Sequence, residues 1–293
     1  MEDFKKPKRG AYRRFLFIDR DEAVDVLSSI EGGTREEILT RVAEEHNKGG
    51  ELSGKLGYGP AGIGGKGSKK ALKRYEEEVR LKSTDHSVMS SLLKELHERG
   101  AIDKIPAYTP DIYDQIDEGE LYEFEAEIRI HPLHQLVTVT RGWAEFGDNL
   151  GMSKMEVADF TKMAGEMERA FQGKNKAQRT LALFAVVDEA DPEYRIAMPI
   201  KVDQLWVPID ELSGRATFVA QVERKLGEDD QFLAARMVRN APVLPAERKM
   251  MLDMLPAFQT LPGQEDLGIE LEEEDVVLSK PAVLMKPLCI YRG

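Results

Sequence analysis

Apolar and polar residues alternate most cleanly at Tyr122, Phe124, Ala126, Ile128 and Ile130, with Glu123, Glu125, Glu127 and Arg129 between them. A period of two puts the apolar set on one face of an extended chain, so the pattern predicts a half-buried strand. Leu181–Val187 and Arg195–Ile200 are denser apolar runs of strand length, and Leu205–Ile209, with Trp206, adds a third. Ala216, Phe218, Ala220 and Val222 restore the alternation across Arg215–Arg224. The polar stretch Lys225-Leu-Gly-Glu-Asp-Asp230 then leads into Gln231–Val238, which reads as a hairpin. Phe15–Ile18 is a short strand. Ala282–Met285 and Leu288–Tyr291 are two more, divided by Lys286-Pro287.

Other stretches repeat at helical spacing. Ala23, Val24, Leu27 and Ile30 follow Asp19, a ready N-cap, and Gly32-Gly33 stops them. Val88, Met89, Leu92, Leu93 and Leu96 follow Ser83-Thr-Asp85 and end at Gly100. Val157, Phe160, Ala164, Met167 and Phe171 mark a helix over 153–172, opened by a Ser153/Glu156 capping pair and closed by Gly173. Pro245 stands at the first position of a further helix reaching Leu255. Thr34 and Glu37 have capping-box spacing, but Ile38, Leu39 and Val42 fit helix or strand equally. The expected fold is α+β: an N-terminal strand-helix module over 1–110, then a β-rich module of antiparallel strands over 111–293, crossed by the 153–172 helix. The division is placed in Pro106–Gly119, whose two prolines and several acids have the composition of a linker.

Composition narrows the picture. The chain has 293 residues, 42% hydrophobic and 32% charged, enough for a substantial core. No run approaches the roughly 18 apolar residues of a membrane span, and Met1–Arg9 lacks the apolar centre of a signal peptide. Cys289 is the single cysteine, which fits a reducing compartment. The expected location is the cytoplasm, with no membrane association. A net charge of −12 weighs against general nucleic-acid binding, because phosphate contacts need clustered cations. The charge is uneven: Met1–Arg20 carries seven Lys/Arg against three acids, and Gln264–Asp275 carries seven acids and no base. The acidic stretch is expected to be a loop.

Candidate chemistry is sparse. The glycine-rich run over 49–68 ends in Gly62-Ile-Gly-Gly-Lys-Gly-Ser68 and invites comparison with a phosphate-binding loop. That loop needs glycine, four residues, then Gly-Lys-Ser/Thr after a buried strand. Here Pro60 occupies the glycine position, Gly67 follows Lys66, and no apolar strand precedes the run. A softer anion- or ligand-binding site remains at Lys66, Ser68, Lys69 and Lys70, beside the start of the next segment. Leu92–Ile102 resembles the helix-to-wing passage of winged-helix proteins, but its outward residues include Glu95 and Glu98, ill suited to reading bases. Glu123, Glu125 and Glu127 share one strand face and are more simply a solvated face than a cation site. His131-Pro-Leu-His134 lacks the partners of a metal site. Asp188, Asp191, Asp203 and Asp210 are scattered, and turn and cap duties account for them. There is no Gly-x-Ser-x-Gly elbow and no His-Glu-x-x-His, and Cys289 lies in an apolar strand where a thiol is usually inert.

These observations lead to an expected non-enzymatic binding or regulatory protein, with no catalytic residue, metal or cofactor assigned. Its expected partners are a protein, a second copy of itself or a small ligand. The alternatives are a nucleic-acid-associated protein using the basic N-terminus, Lys66–Lys70 and the Ser87–Arg99 helix, or a carboxylate/metal enzyme acting on a phosphorylated substrate.

Several stretches together resemble one bacterial family of cytoplasmic proteins known as a domain of unknown function. They are Phe15-Leu-Phe-Ile-Asp19 with its helix ending at Gly32-Gly33, Ser87-Val-Met-Ser-Ser-Leu-Leu93, Leu212–Phe218 running to Val222-Glu-Arg-Lys225, and Lys280–Arg292. The resemblance covers nearly the whole chain and implies one shared architecture. It brings no catalytic or binding residue with it.

Overall fold

The computed structural model describes residues 13–31, 37, 85–132, 134–135, 138, 141–142, 145, 153–155, 157–158, 161–162, 165, 180–187, 195–238, 249, 252–253 and 273–293. The fold is α+β. Its contacts divide the chain into two compact units, Ile18–Ile102 and a second made of Met1–Phe17 with Asp103–Gly293.

In the first unit the helix Arg20–Glu31 begins as its sequence predicts. Asp19 Oδ1 accepts the Glu22 N–H at 3.2 Å, and Ala23, Val24 and Leu27 are buried. A second helix, over 85–98, buries Val88, Met89, Leu92, Leu93 and Leu96, the stripe read from the sequence. It ends in a Schellman turn: Ala101 N–H reaches back to Leu96 O at 2.9 Å, and Gly100 N–H reaches His97 O at 3.2 Å. Gly100 has φ 64°, a left-handed conformation that suits a residue without Cβ. Arg20 Nε stands 3.0 Å from Asp85 Oδ1, bringing the starts of the two helices together as a charge pair. Burial raises the Asp85 pKa, and the Arg20 charge opposes that rise.

The second unit is built on a seven-stranded sheet. Its strands are β1 (Arg14–Ile18), β2 (Asp103–Lys104), β3 (Leu121–Ile130), β4 (Thr180–Val186), β5 (Ile196–Lys201), β6 (Gly214–Lys225) and, after a separate ribbon of β7 (Gln231–Leu233) and β8 (Val277–Ser279), β9 (Val283–Arg292). Five of them close a circuit. β3 pairs antiparallel with β4, β4 with β5, β6 with β9, and β6 with β3, while β5 pairs parallel with β9. Numbered along the chain, the circuit runs first, second, third, fifth, fourth and back to first, with the third and fifth parallel. That is the strand order of the small Greek-key barrel known as the OB-fold.

Side chains alternate across the barrel wall. Phe124, Leu183, Met198, Phe218 and Met285 belong to the interior cluster, and Phe124 and Phe218 stack at 5.3 Å between ring centroids. β1 lies beside β9 and contributes Leu16 and Phe17 to the same cluster. Its other edge meets the segment after β5, where Trp206 N–H donates to Leu16 O at 2.9 Å.

Five local expectations are corrected. Pro106–Gly119 is not a linker: Thr109 caps a helix, Pro110–Gln115, and Tyr108, Tyr113 and Ile116 are buried in the barrel's cluster. The β6–β7 hairpin does not form. Both edges of β6 are already taken by β3 and β9, so the chain leaves the sheet after the turn, β7 pairs with β8, and Ala235–Val238 is helical rather than extended. The final two strands are one, β9, which carries Pro287 where its register against β6 shifts between Val219 and Ala220. The acidic stretch expected as a loop ends in a helix, Glu273–Val276, with Asp275 buried. Leu205–Ile209 makes only an isolated bridge, Leu205 to Phe17, between short 3₁₀ turns.

Candidate functional site

The chain places its buried polar residues with economy. Among the described residues of the barrel unit, His131 and Asp275 are the buried polar side chains, at 3% and 5% exposure, and they meet. His131 continues β3, held extended by the proline that follows it, and its N–H donates to Ala182 O at 3.1 Å. Its ring lies 5.2 Å from the Phe184 ring on the outer face of β4. His131 Nε2 is 2.7 Å from the Asp275 backbone carbonyl. A carbonyl can only accept, so Nε2 carries the proton. Burial lowers the His131 pKa from 6.5 to about 4, against the smaller upward pull of that carbonyl bond.

Asp275 is also held from the other side. Arg195, immediately before β5, donates from Nη1 to Asp275 Oδ1 at 2.6 Å, and its guanidinium lies 5.6 Å over the Phe184 ring. Side-chain exposure is 17% for Arg195 and 7% for Asp275, so this ion pair is screened little by water. The node therefore joins three places distant in sequence: the end of β3, the start of β5 and the residues before β8.

A second cluster surrounds Tyr113. Its hydroxyl donates to Leu226 O, and Lys225 and Lys280 stand 4.8 and 5.7 Å over its ring. Lys225 Nζ also donates to the carbonyls of Asp114 and Ile116 at the end of helix Pro110–Gln115, where a cation suits the exposed carbonyls. Lys280 pairs with Glu228 at 2.6 Å. In a third place, Tyr291 donates to Glu123 Oε2 at 3.4 Å, and Arg13 lies 5.1 Å over its ring. Burial, aided by the Glu123 charge, pushes the Tyr291 pKa up to about 12. Cys289 is buried and its thiol pKa is raised by burial, the setting of an unreactive thiol.

The sequence-predicted residues fare unevenly. Lys66, Ser68, Lys69 and Lys70, the glycine-rich run and the Thr34/Glu37 pair's partner Thr34 lie outside the described residues, as do Asp188 and Asp191. Asp203 and Asp210 are exposed in 3₁₀ turns, in keeping with turn duties. The glutamate row on β3 faces cations: Lys104 is 3.6 Å from Glu123, and Arg215 is 3.9 Å from Glu125. Among the described residues no group of three or more His, Cys, Asp or Glu could hold a metal ion. His131 Nε2 is committed to the Asp275 carbonyl, and the His134 backbone N–H donates to His131 O at 2.9 Å. Sequence reading missed Arg195 and Asp275 as partners. Asp275 does carry a signal, as the last of its acids directly before the apolar run Val276-Val-Leu278.

A family model described as Domain of unknown function (DUF6414) matches residues 12–291. The chain belongs to that family. For this DUF6414 chain, neither a curated protein nor a solved structure matched. Among the described residues no helix is long and apolar enough to cross a membrane.

Proposed function

We propose that this DUF6414 protein is a non-enzymatic binding or regulatory protein of the cytoplasm, acting through a protein partner or a small ligand. The observation that carries this reading is the barrel circuit with its two long insertions, residues 131–179 and 226–282. In barrels of this strand order, the loops joining the first strand to the second and the fourth to the fifth flank the ligand. Those are the two insertions here, and the His131–Asp275–Arg195 node ties their described ends together. The likeness in strand order is an analogy of fold, and the chemistry of the node adds to it. Each of its groups is engaged in holding backbone or charge, an arrangement suited to shaping a surface rather than attacking a substrate. An oligonucleotide is a poorer fit. Among the described residues, the outer face of β4 and β5 presents Ala182, Phe184 and Ala197 packed under the chain's own residues rather than as the open aromatic platform that single strands stack on.

Native mass spectrometry of the protein isolated gently from its own host tests the reading. A retained protein or small molecule supports it. Turnover of a nucleotide or ester, abolished by a single substitution, overturns it, and salt-dependent binding of DNA or RNA favours the nucleic-acid alternative.

A further inference from the structure

The outer face of β4 and β5 is where a barrel of this strand order takes its ligand. Here it is covered. Ala182, Phe184 and Ala197 pack with Ala234, Met237 and Leu278, which come from the insertion between β6 and β9. The cover is attached differently from the barrel strands. β7 and β8 pair over three residues each, only with one another, and neither joins the ladder of the seven-stranded sheet. The backbone bonds from Ala234 to Val276 and from Leu226 to Ala282 stay within the same insertion. Tyr113 and Tyr108 hold the two ends of the insertion, at Leu226 O and Pro281 O, and Arg224 of β6 pairs with Asp230 in the turn before β7. Beside the ribbon itself, Asp275 reaches the barrel: its carboxylate takes Arg195 Nη1 and its carbonyl takes His131 Nε2.

We propose that the β7–β8 ribbon with the helix Ala235–Val238 is an autoinhibitory cover over the barrel's ligand face, latched at Asp275 by Arg195 and His131. This rests on the binding reading above. Apolar contact holds the cover down, and the latch fixes its position. The Arg195 bond is made to the Asp275 carboxylate and the His131 bond to its backbone carbonyl, so loss of the carboxylate weakens the tie to the start of β5 while leaving the His131 bond and every rung of the barrel circuit in place. Local opening of such a unit costs less than global unfolding when few ladder bonds bind it to the rest.

Hydrogen–deuterium exchange on the full chain reads this without any ligand. In the wild type, amides of 231–233 and 277–279 are expected to exchange through an opening that leaves 121–128 and 214–222 protected. In Asp275→Asn, exchange of the ribbon is expected to rise about tenfold or more, with the barrel strands unchanged. Ribbon and barrel exchanging together in the wild type would make the ribbon part of the global core and overturn the proposal. Unchanged ribbon exchange in Asp275→Asn would overturn it too. Should that variant fail to fold, the wild-type comparison decides alone. Failure to find a bound partner by mass spectrometry bears on the binding reading and moves neither of these results.

Discussion

At the scale of single residues, His131 has the most direct consequence. Its pKa falls from 6.5 in the free side chain to about 4 in the fold, because burial penalises the charged ring more than the Asp275 carbonyl favours it. As pH drops, the unfolded chain takes up a proton through 6.5, while the folded chain does not until about 4. The fold is therefore fully favoured above 6.5 and loses stability progressively down to about 4, a change of about 3 kcal/mol. The expected result is that His131→Asn lacks this part of the pH dependence. Urea unfolding of both proteins between pH 7.5 and 4 would show the gap between them narrowing by about that amount on acidification. A gap independent of pH would mean that the ring titrates alike in both states. The sequence could not single out His131 over His134, since the two differ only in which one the tertiary fold encloses.

Elements differ in how far their own residues specify them. The helix over 85–98 was readable because its stripe, its start and its glycine stop all lie within one short stretch. Gly100 gives that stop a test. At φ 64° an alanine is strained, yet nothing lies within 4 Å of an added Cβ, so the cost is conformational rather than steric. Gly100→Ala is expected to destabilise by about 1 kcal/mol, read as a lowered midpoint in thermal unfolding. β6 shows the opposite case. Alternation along Ala216–Val222 announced a strand, but it could not say that β3 and β9 would occupy both edges and leave β7 to pair with β8. Pro106–Gly119 misled for a related reason. Prolines and acids look like a linker, although Pro110 opens a capped helix that buries Tyr113, with Tyr108 buried just before it.

For the molecule as a whole, the barrel depends on strands from both ends of the chain. β1 lies beside β9, and Phe17, at 1% exposure, packs into the interior with residues of β3 and β6. Removing that ring leaves a cavity that strands closed into a circuit cannot easily collapse to fill. Phe17→Ala is thus expected to destabilise the barrel unit by about 3–5 kcal/mol, measured by urea unfolding. A loss well under 1 kcal/mol would show that β1 is an accessory rather than part of the core. Because pairings such as β1 with β9 span most of the chain, folding of this unit is also expected to be slow relative to a helical one of the same size.

What the sequence alone determined is local. Periodicity marked β3, β4, β5 and β6 and the helix stripes, since the pitch of a strand or helix imposes its pattern on neighbouring residues. The α+β class and the family followed from stretches spread along the chain. What only the tertiary structure decided is which edges meet: the closure of β3, β4, β5, β9 and β6 into a barrel, the ribbon lying over β4 and β5, and the convergence of His131, Arg195 and Asp275. Strand pairing and burial join residues about which the intervening sequence carries no periodic signal. An arginine before a strand and an aspartate 80 positions later become partners only once the barrel has closed between them.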